Sequence, residues 1–138
     1  MLFRSATARA GSVDVGATPT PDIHAQLAAL PRPRKHYQWH YATREANADL
    51  MQCPQGLHAL LRAYYHLKSA DWPGNRPHAL QGWRADQLAL LPTYYVMDLA
   101  LGMADTVAPH MPSAAQIAAC RWLPDTELAV YKIGRAHV

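Results

Sequence analysis

The hydrophobic pattern along the chain is clearest between residues 57 and 65. Leu57, Leu60, Leu61, Tyr64 and Tyr65 recur at spacings of i, i+3, i+4, i+7 and i+8. This spacing places all five side chains on one face of a helix. The pattern therefore predicts an amphipathic helix that packs its apolar face into the protein core.

Shorter helices are predicted before this one. Ile23, Leu27 and Leu30 recur at helical spacing, and Pro31 ends the segment because proline cannot continue a helix. Residues 35–51 contain good helix formers and neither proline nor glycine, so they are predicted as a single helix.

The second half of the chain predicts short helices joined by turns. The residues at 71–78 are rich in proline, glycine, asparagine and aspartate, which predicts a loop. Ser113 and Gln116 have the spacing of a capping box, in which each side chain binds the backbone of the other residue. The predicted helices cover residues 84–91, 103–107 and 117–121, and a last one begins after Pro124.

One segment, residues 93–98, is rich in residues that favour strands, and an extended segment and a buried helical turn fit it equally. Elsewhere the pattern predicts five to seven short helices and no alternation of strands with helices. The predicted fold class is therefore mostly α.

Composition places the chain among single globular domains. It has 138 residues, of which 50% are hydrophobic and 17% are charged, which argues against a disordered chain, a coiled coil or a histone-like polycation. The formal charge of +3 comes from Arg4, Lys132 and Arg135 near the two ends, so the interior is neutral and predicts no nucleic-acid partner. No apolar run approaches the ~20 residues that a membrane span needs, so no membrane partner and a cytoplasmic location are expected.

The two ends of the chain differ from its interior. Residues 1–5 (MLFRS) and 133–138 (IGRAHV) look like translated sequencing adapter, so we interpret 1–5 and 132–138 as adapter-derived scars. Residues 6–21 are small and lack apolar periodicity, which is typical of a linker. The expected domain covers residues 22–131, and the chain is expected to be a fragment.

The sequence holds no self-contained enzyme motif. It lacks a Gly-x-Ser-x-Gly elbow, a glycine-rich phosphate loop and a His-Glu-x-x-His metal motif. His36 and His40 have the i, i+4 spacing of a helical metal pair but no third ligand beside them, and Cys53 and Cys120 lie outside any Cys-x-x-Cys pair. We therefore predict no metal and no cofactor.

Tyrosine is the residue type that stands out, since it supplies seven of the twelve aromatic side chains. Tyr37 and Tyr41 are four residues apart, which places both phenols on one side of a helix. Such a pair can pack as core, or it can direct its hydroxyls into a cavity.

Two segments carry a resemblance to a known family. Residues 35–41 (KHYQWHY), followed by 46–50 (ANADL), resemble the segment that opens the lid helices of epoxide hydrolases of the α/β-hydrolase fold. Residues 124–131 (PDTELAVY) are similar to the acidic helix that ends the same lid. The resemblance covers residues 22–131 and implies a helical lid domain separated from the catalytic sheet domain.

The resemblance implies a division of chemistry between two domains. The catalytic domain, absent from this chain, supplies an aspartate nucleophile that forms an alkyl ester and a histidine that activates the hydrolytic water. The lid supplies two tyrosines, Tyr37 and Tyr131, whose hydroxyls polarise the epoxide oxygen. Gln38, Trp39 and Tyr41 are implied to line the substrate site. The chain alone is expected to be inactive, and the whole enzyme is expected to take a small apolar epoxide.

The resemblance has departures, and other functions stay open. His40 occupies a position where the family has an aromatic residue, and the family's Pro-Gly pair is missing. The parent enzyme could instead be an esterase, or a haloalkane dehalogenase in which Trp39 binds the halide. A third alternative is a free-standing all-α interaction module, which should bury Tyr37 and Tyr131, whereas a detached lid should expose them.

Overall fold

The computed structural model describes residues 22–135, with side chains up to Tyr131. Within this range the protein is mostly helical, with eight α-helices, one short 3-10 helix and a two-stranded sheet, which confirms the predicted fold class at this level. The interpretations of residues 1–5, 6–21 and 136–138 lie outside the described residues. The elements are α1 (Ile23–Ala28), β1 (Arg34–His36), α2 (Tyr37–Tyr41), α3 (Glu45–Met51), α4 (Leu57–Leu67), α5 (Ala85–Leu88), β2 (Val96–Asp98), α6 (Met103–Val107), the 3-10 helix (Ala108–His110), α7 (Ala114–Ala119) and α8 (Asp125–Arg135).

The predicted amphipathic helix is confirmed as α4, which forms the centre of the main core. Leu60 on α4 is fully buried, as are Met103 and Val107 on α6 and Leu128 on α8. A smaller cluster of Leu27, Leu88, Val96 and their neighbours joins α1, α5 and β2. Burying these apolar side chains is the main stabilising contribution to the fold.

The single helix predicted over residues 35–51 is wrong. The chain there divides into β1, α2 and α3, and β1 pairs antiparallel with β2, with Arg34 opposite Asp98. The guanidinium of Arg34 is buried and donates to the Val96 carbonyl, so burial and long-range pairing override the local helix propensity. The described residues form eight α-helices, more than the five to seven predicted, because α2 and α3 are separate helices.

Local signals predicted the other elements well. The capping box of Ser113 and Gln116 is confirmed at the start of α7, and the last helix begins directly after Pro124. Residues 103–107 form α6 with the predicted bounds. Of the two alternatives for residues 93–98, the strand is found over residues 96–98.

The start of α6 is held by a carboxylate from α3. Asp49 Oδ2 accepts hydrogen bonds from the backbone N–H groups of Met103 (2.6 Å) and Ala104 (3.3 Å), which would otherwise lack partners at a helix N-terminus. Gly102 permits this approach, because a Cβ at that position would lie 2.6 Å from Asp49 Cγ. A larger residue here would displace the Asp49 carboxylate from the start of α6, so glycine is favoured by this close contact and not by its backbone angle.

His40, on α2, should make the stability of the protein sensitive to mild acid. Its side chain is buried, and its Nε2 lies 3.4 Å from Asp49 Oδ2. Burial, together with Lys35, lowers the pKa of His40 despite the nearby carboxylates. The unfolded chain, whose histidines titrate near pH ~6.5, therefore takes up this proton at higher pH than the folded protein.

We expect the free energy of unfolding to be fully retained above pH ~6.5 and to fall as the pH drops toward ~5. Urea denaturation across this window measures the decline, and His40→Gln should reduce its slope. His36, whose pKa is also lowered by burial and by His24, should retain the remainder of the effect. A slope that is identical in the His40→Gln variant would contradict the assignment.

Candidate functional site

The seven tyrosines of the chain form one connected cluster, which we call the tyrosine cluster. Its members come from four segments that are distant in sequence, namely α2, α4, the turn before β2, and α8. They are Tyr37, Tyr41, Tyr64, Tyr65, Tyr94, Tyr95 and Tyr131. The helical spacing of Tyr37 and Tyr41 predicted one edge of this cluster, and the fold assembles the rest.

Ring contacts connect the cluster in two groups. In the first, Tyr37 meets Tyr41 edge to face at 6.2 Å between ring centroids and meets Tyr95 at 5.5 Å. Tyr95 in turn lies 4.7 Å from Tyr94. The rings at these distances are tilted or edge to face, which are favourable geometries for aromatic pairs.

The second group joins α4 to α8. The rings of Tyr64 and Tyr65 are 5.8 Å apart, and Tyr65 lies 5.2 Å from Tyr131. Tyr131 is 52% exposed, whereas Tyr37 is half-buried against the core. The two predicted tyrosines thus differ in exposure. A detached lid should expose both and an interaction module should bury both, so their exposure does not distinguish these two alternatives.

Lys68, at the end of α4, joins the two groups. Its Nζ lies 4.2 Å from the ring centroid of Tyr64 and 5.1 Å from that of Tyr37. The rings of Tyr95 (5.0 Å) and Tyr94 (5.8 Å) complete the surroundings. The ammonium also donates a 2.6 Å hydrogen bond to the Tyr64 hydroxyl. These contacts hold one positive charge among four electron-rich ring faces, which is a favourable arrangement for a cation.

Asn75 fixes the loop that borders the cluster. Its amide nitrogen donates to the carbonyl groups of Leu67 and Ser69, each at 2.7 Å, which satisfies acceptors at the end of α4. Its amide oxygen accepts a 2.7 Å hydrogen bond from the Tyr94 hydroxyl. One side chain therefore ties the loop at 71–78 to α4 and to the turn before β2.

The tyrosine hydroxyls have different partners. Those of Tyr64 and Tyr94 are hydrogen bonded to Lys68 and Asn75. Within residues 22–131, the hydroxyls of Tyr37, Tyr95 and Tyr131 make no hydrogen bond to a protein group. A phenol hydroxyl is a good donor, so these three are available to a ligand oxygen.

The predicted site residues on α2 fall on two faces of that helix. Tyr37 and Tyr41 lie in the tyrosine cluster, and contacts through Lys68, Tyr64 and Tyr65 connect them to Tyr131. Gln38 and Trp39 instead border a separate cavity of about 280 Å³. Trp39 stacks on His24 there, with 5.1 Å between the ring centroids. The structure thus brings Tyr37, Tyr41 and Tyr131 into one cluster and leaves Gln38 and Trp39 outside it.

The position of Tyr131 depends on how α8 attaches to α4. Arg62 is buried and donates to the Leu123 carbonyl at 2.9 Å and to Asp125 Oδ1 at 2.6 Å. Asp125 also lies 3.0 Å from the His58 ring nitrogen, and the hydrogen bonds with His58 and Arg62 lower the pKa of this carboxyl. These bonds hold the first turn of α8, from which Tyr131 follows at helical spacing.

The described residues contain neither a metal-binding cluster nor a membrane-spanning helix. In residues 22–131 no three side chains of histidine, cysteine, aspartate or glutamate come together in a way that could hold a metal ion. His36 accepts at the start of α2, and His40 lies beside Asp49, so the two have separate structural surroundings. No helix in the described part of the chain is long and apolar enough to cross a membrane.

Sequence reasoning missed the residues that connect the cluster. Lys68 lies four residues after Tyr64, a spacing that places both on one helix face. Nothing in the local pattern indicated that Tyr94 and Tyr95 would reach this lysine, because that contact depends on the tertiary fold.

Comparison with known proteins yields no relative. No family model matches the chain, and neither a curated protein nor a solved structure matches it.

Proposed function

We propose that this chain is the lid of an α/β-hydrolase whose whole enzyme hydrolyses an epoxide to a diol. The observation that carries the proposal is the tyrosine cluster with its available hydroxyls. Tyr37 and Tyr131, the two tyrosines that the family resemblance implies, are both among the three without a protein partner in residues 22–131.

The chemistry follows from the donors. When a carboxylate attacks an epoxide carbon, the C–O bond breaks and negative charge develops on the epoxide oxygen. Phenol hydroxyls that donate to this oxygen stabilise the charge in the transition state more than the neutral ring in the ground state. Tyr37 and Tyr131 would have this role, and the carboxylate and the histidine that releases the diol would come from the catalytic domain.

Exposed apolar side chains on α8 and just before it support a lid. Trp122 and Val130 are 48% and 63% exposed, and Tyr131 is 52% exposed. Such large apolar side chains at the surface favour a partner that covers them. In a lid, that partner is the catalytic domain of the same enzyme.

Among the alternatives, the dehalogenase gains no support from the geometry. Its halide donor would be Trp39, which stacks on His24 and borders a different cavity from the tyrosine cluster. Exposure does not separate the interaction module from the lid, because Tyr131 is half exposed and Tyr37 is half-buried, whereas epoxide turnover by the full-length protein would separate them.

The test is turnover of an epoxide by two proteins. The 138-residue chain incubated with styrene oxide should form no diol above background, because the proposal assigns the nucleophile to the catalytic domain. The full-length protein, recovered with the DNA that flanks this sequence, should form the diol. Turnover by the chain alone, or a full-length protein that leaves epoxides intact and hydrolyses esters or releases halide, would overturn the proposal.

A further inference from the structure

A cavity of about 410 Å³ borders the tyrosine cluster. It lies between the end of α4, the loop at 71–78 and the turn before β2. Its volume falls within the range of roughly 300 to 1,000 Å³ that is typical of small-molecule sites. The cavity shares Lys68, Tyr94 and Tyr95 with the cluster, and neither Tyr37 nor Tyr131 lines it.

The walls of the cavity have two chemical characters. Leu91, Pro92 and the rings of Tyr94 and Tyr95 form an apolar and aromatic side. Lys68 and Arg76 supply two positive charges, and no aspartate or glutamate is among the lining residues. A cavity with these walls suits a molecule that has an apolar body and an acidic group.

The charge of the two cations is not neutralised by the protein. In the described part of the chain, the arginines at 32, 34, 62 and 84 each lie within 4.0 Å of a carboxylate. Lys68 and Arg76 have no carboxylate partner there. Two unpaired cations beside one concave surface create a positive potential that attracts an anion.

Contacts within the protein hold the side chain of Lys68 and the backbone beside Arg76. Lys68 is fixed by the Tyr64 hydroxyl and by four ring faces. Arg76 follows Asn75, whose three hydrogen bonds fix the loop backbone at that point. Lys68 is therefore preorganised and loses little entropy on binding, and the guanidinium of Arg76 can bind a carboxylate through two parallel hydrogen bonds.

We propose that this cavity binds the acidic group of a small amphipathic molecule, a carboxylate in the first instance. Lys68 and Arg76 bind the anion, and Leu91, Pro92, Tyr94 and Tyr95 contact its apolar body. On the proposed function, this site also determines the substrate class. Lys68 Nζ lies 5.1 Å from the centroid of the Tyr37 ring, so the substrate would be an epoxide whose acidic group lies a short distance from the epoxide ring.

The test is direct binding of two probes to the 138-residue chain. The probes are trans-cinnamate and its neutral analogue trans-cinnamamide, which have nearly the same shape and differ in charge. We expect saturable binding of cinnamate in an NMR titration, with shifts at Tyr94, Tyr95 and the loop, and at least tenfold weaker binding of the amide. Raising the salt from about 0.05 M to about 0.5 M should weaken cinnamate binding, since the attraction is electrostatic.

A matched pair of variants assigns the site. Arg76→Gln should weaken cinnamate binding about tenfold or more, whereas Arg121→Gln, which removes another exposed arginine outside the cavity, should leave it unchanged. Arg76 is exposed, so its variant should retain the fold, which circular dichroism checks. Equal affinity for the two probes, or equal affinity of Arg76→Gln and wild type, would overturn the proposal.

This experiment does not depend on the proposed function, because it requires neither an epoxide nor a catalytic domain. Cinnamate binding without diol formation by the full-length protein would keep the anion site and overturn the epoxide hydrolase. Diol formation without cinnamate binding would support the epoxide hydrolase and overturn the anion site.

Discussion

In the epoxide hydrolase that we propose, replacing both Tyr37 and Tyr131 by phenylalanine is expected to slow epoxide opening by about four orders of magnitude. Removing one donor to a developing oxyanion typically costs about 10² to 10³ in rate, and this variant removes two. Phenylalanine keeps the ring contacts with Tyr95 and Tyr65, so the cluster should stay packed. The loss should therefore appear in the rate of the chemical step.

The measurement is single-turnover formation of the alkyl-enzyme ester, which separates epoxide opening from later hydrolysis. Tyr65→Phe is the matched control, because it removes a hydroxyl from the same cluster beside Tyr131 without removing a proposed donor. Its rate should be close to that of the wild type. An unchanged rate in the double variant would rule out the proposed role of the two tyrosines and favour the esterase or dehalogenase alternatives.

The largest effect on stability is expected for Arg62→Ala, at about 3 kcal/mol of lost free energy of unfolding. The Leu123 carbonyl loses its donor, and the buried stem of Arg62 leaves a space between α4 and α8. The cost arises at this buried carbonyl more than at Asp125, whose carboxylate is exposed and can be hydrated. Urea denaturation followed by circular dichroism measures the change.

A second variant at this position separates the hydrogen bond from the apolar packing, and a variant elsewhere serves as the control. Arg62→Met keeps most of the apolar stem, so its stability should lie between that of Arg62→Ala and that of the wild type. Arg84→Ala breaks an exposed ion pair with Asp86 and should leave the urea midpoint nearly unchanged. If Arg62→Met were as stable as the wild type, the hydrogen bond to Leu123 would contribute nothing and the prediction would be wrong.

Local signals in the sequence were sufficient for most of the helices. The spacing of leucines predicted α4, a capping box predicted the start of α7, and Pro124 predicted the start of α8, because each depends on residues within one or two helical turns. The division of residues 35–51 was not predictable in this way. It depends on Arg34, whose buried guanidinium binds a carbonyl that lies 62 residues further along the chain.

In the candidate site, too, contacts between residues distant in sequence could not be predicted. The sequence indicated Tyr37, Tyr41 and Tyr131 as residues of interest, and the fold places them in one cluster. The members that connect them, Lys68 and Tyr95, could not be predicted, since their contacts join segments that share no local pattern. Gln38 and Trp39 lie outside the cluster because neighbouring residues of a short helix point in different directions.

The pairing of β1 with β2 has a consequence for how the chain reaches its native state. The two strands are about 60 residues apart in sequence, so the segment between them must bring its ends together before Arg34 can bind the Val96 carbonyl. Helical turns such as those of α4 form within about a microsecond, whereas contacts of high sequence separation are slow to form. We therefore expect the helical core around α4 to assemble early and the small sheet, with α1 packed on it, to complete the fold last.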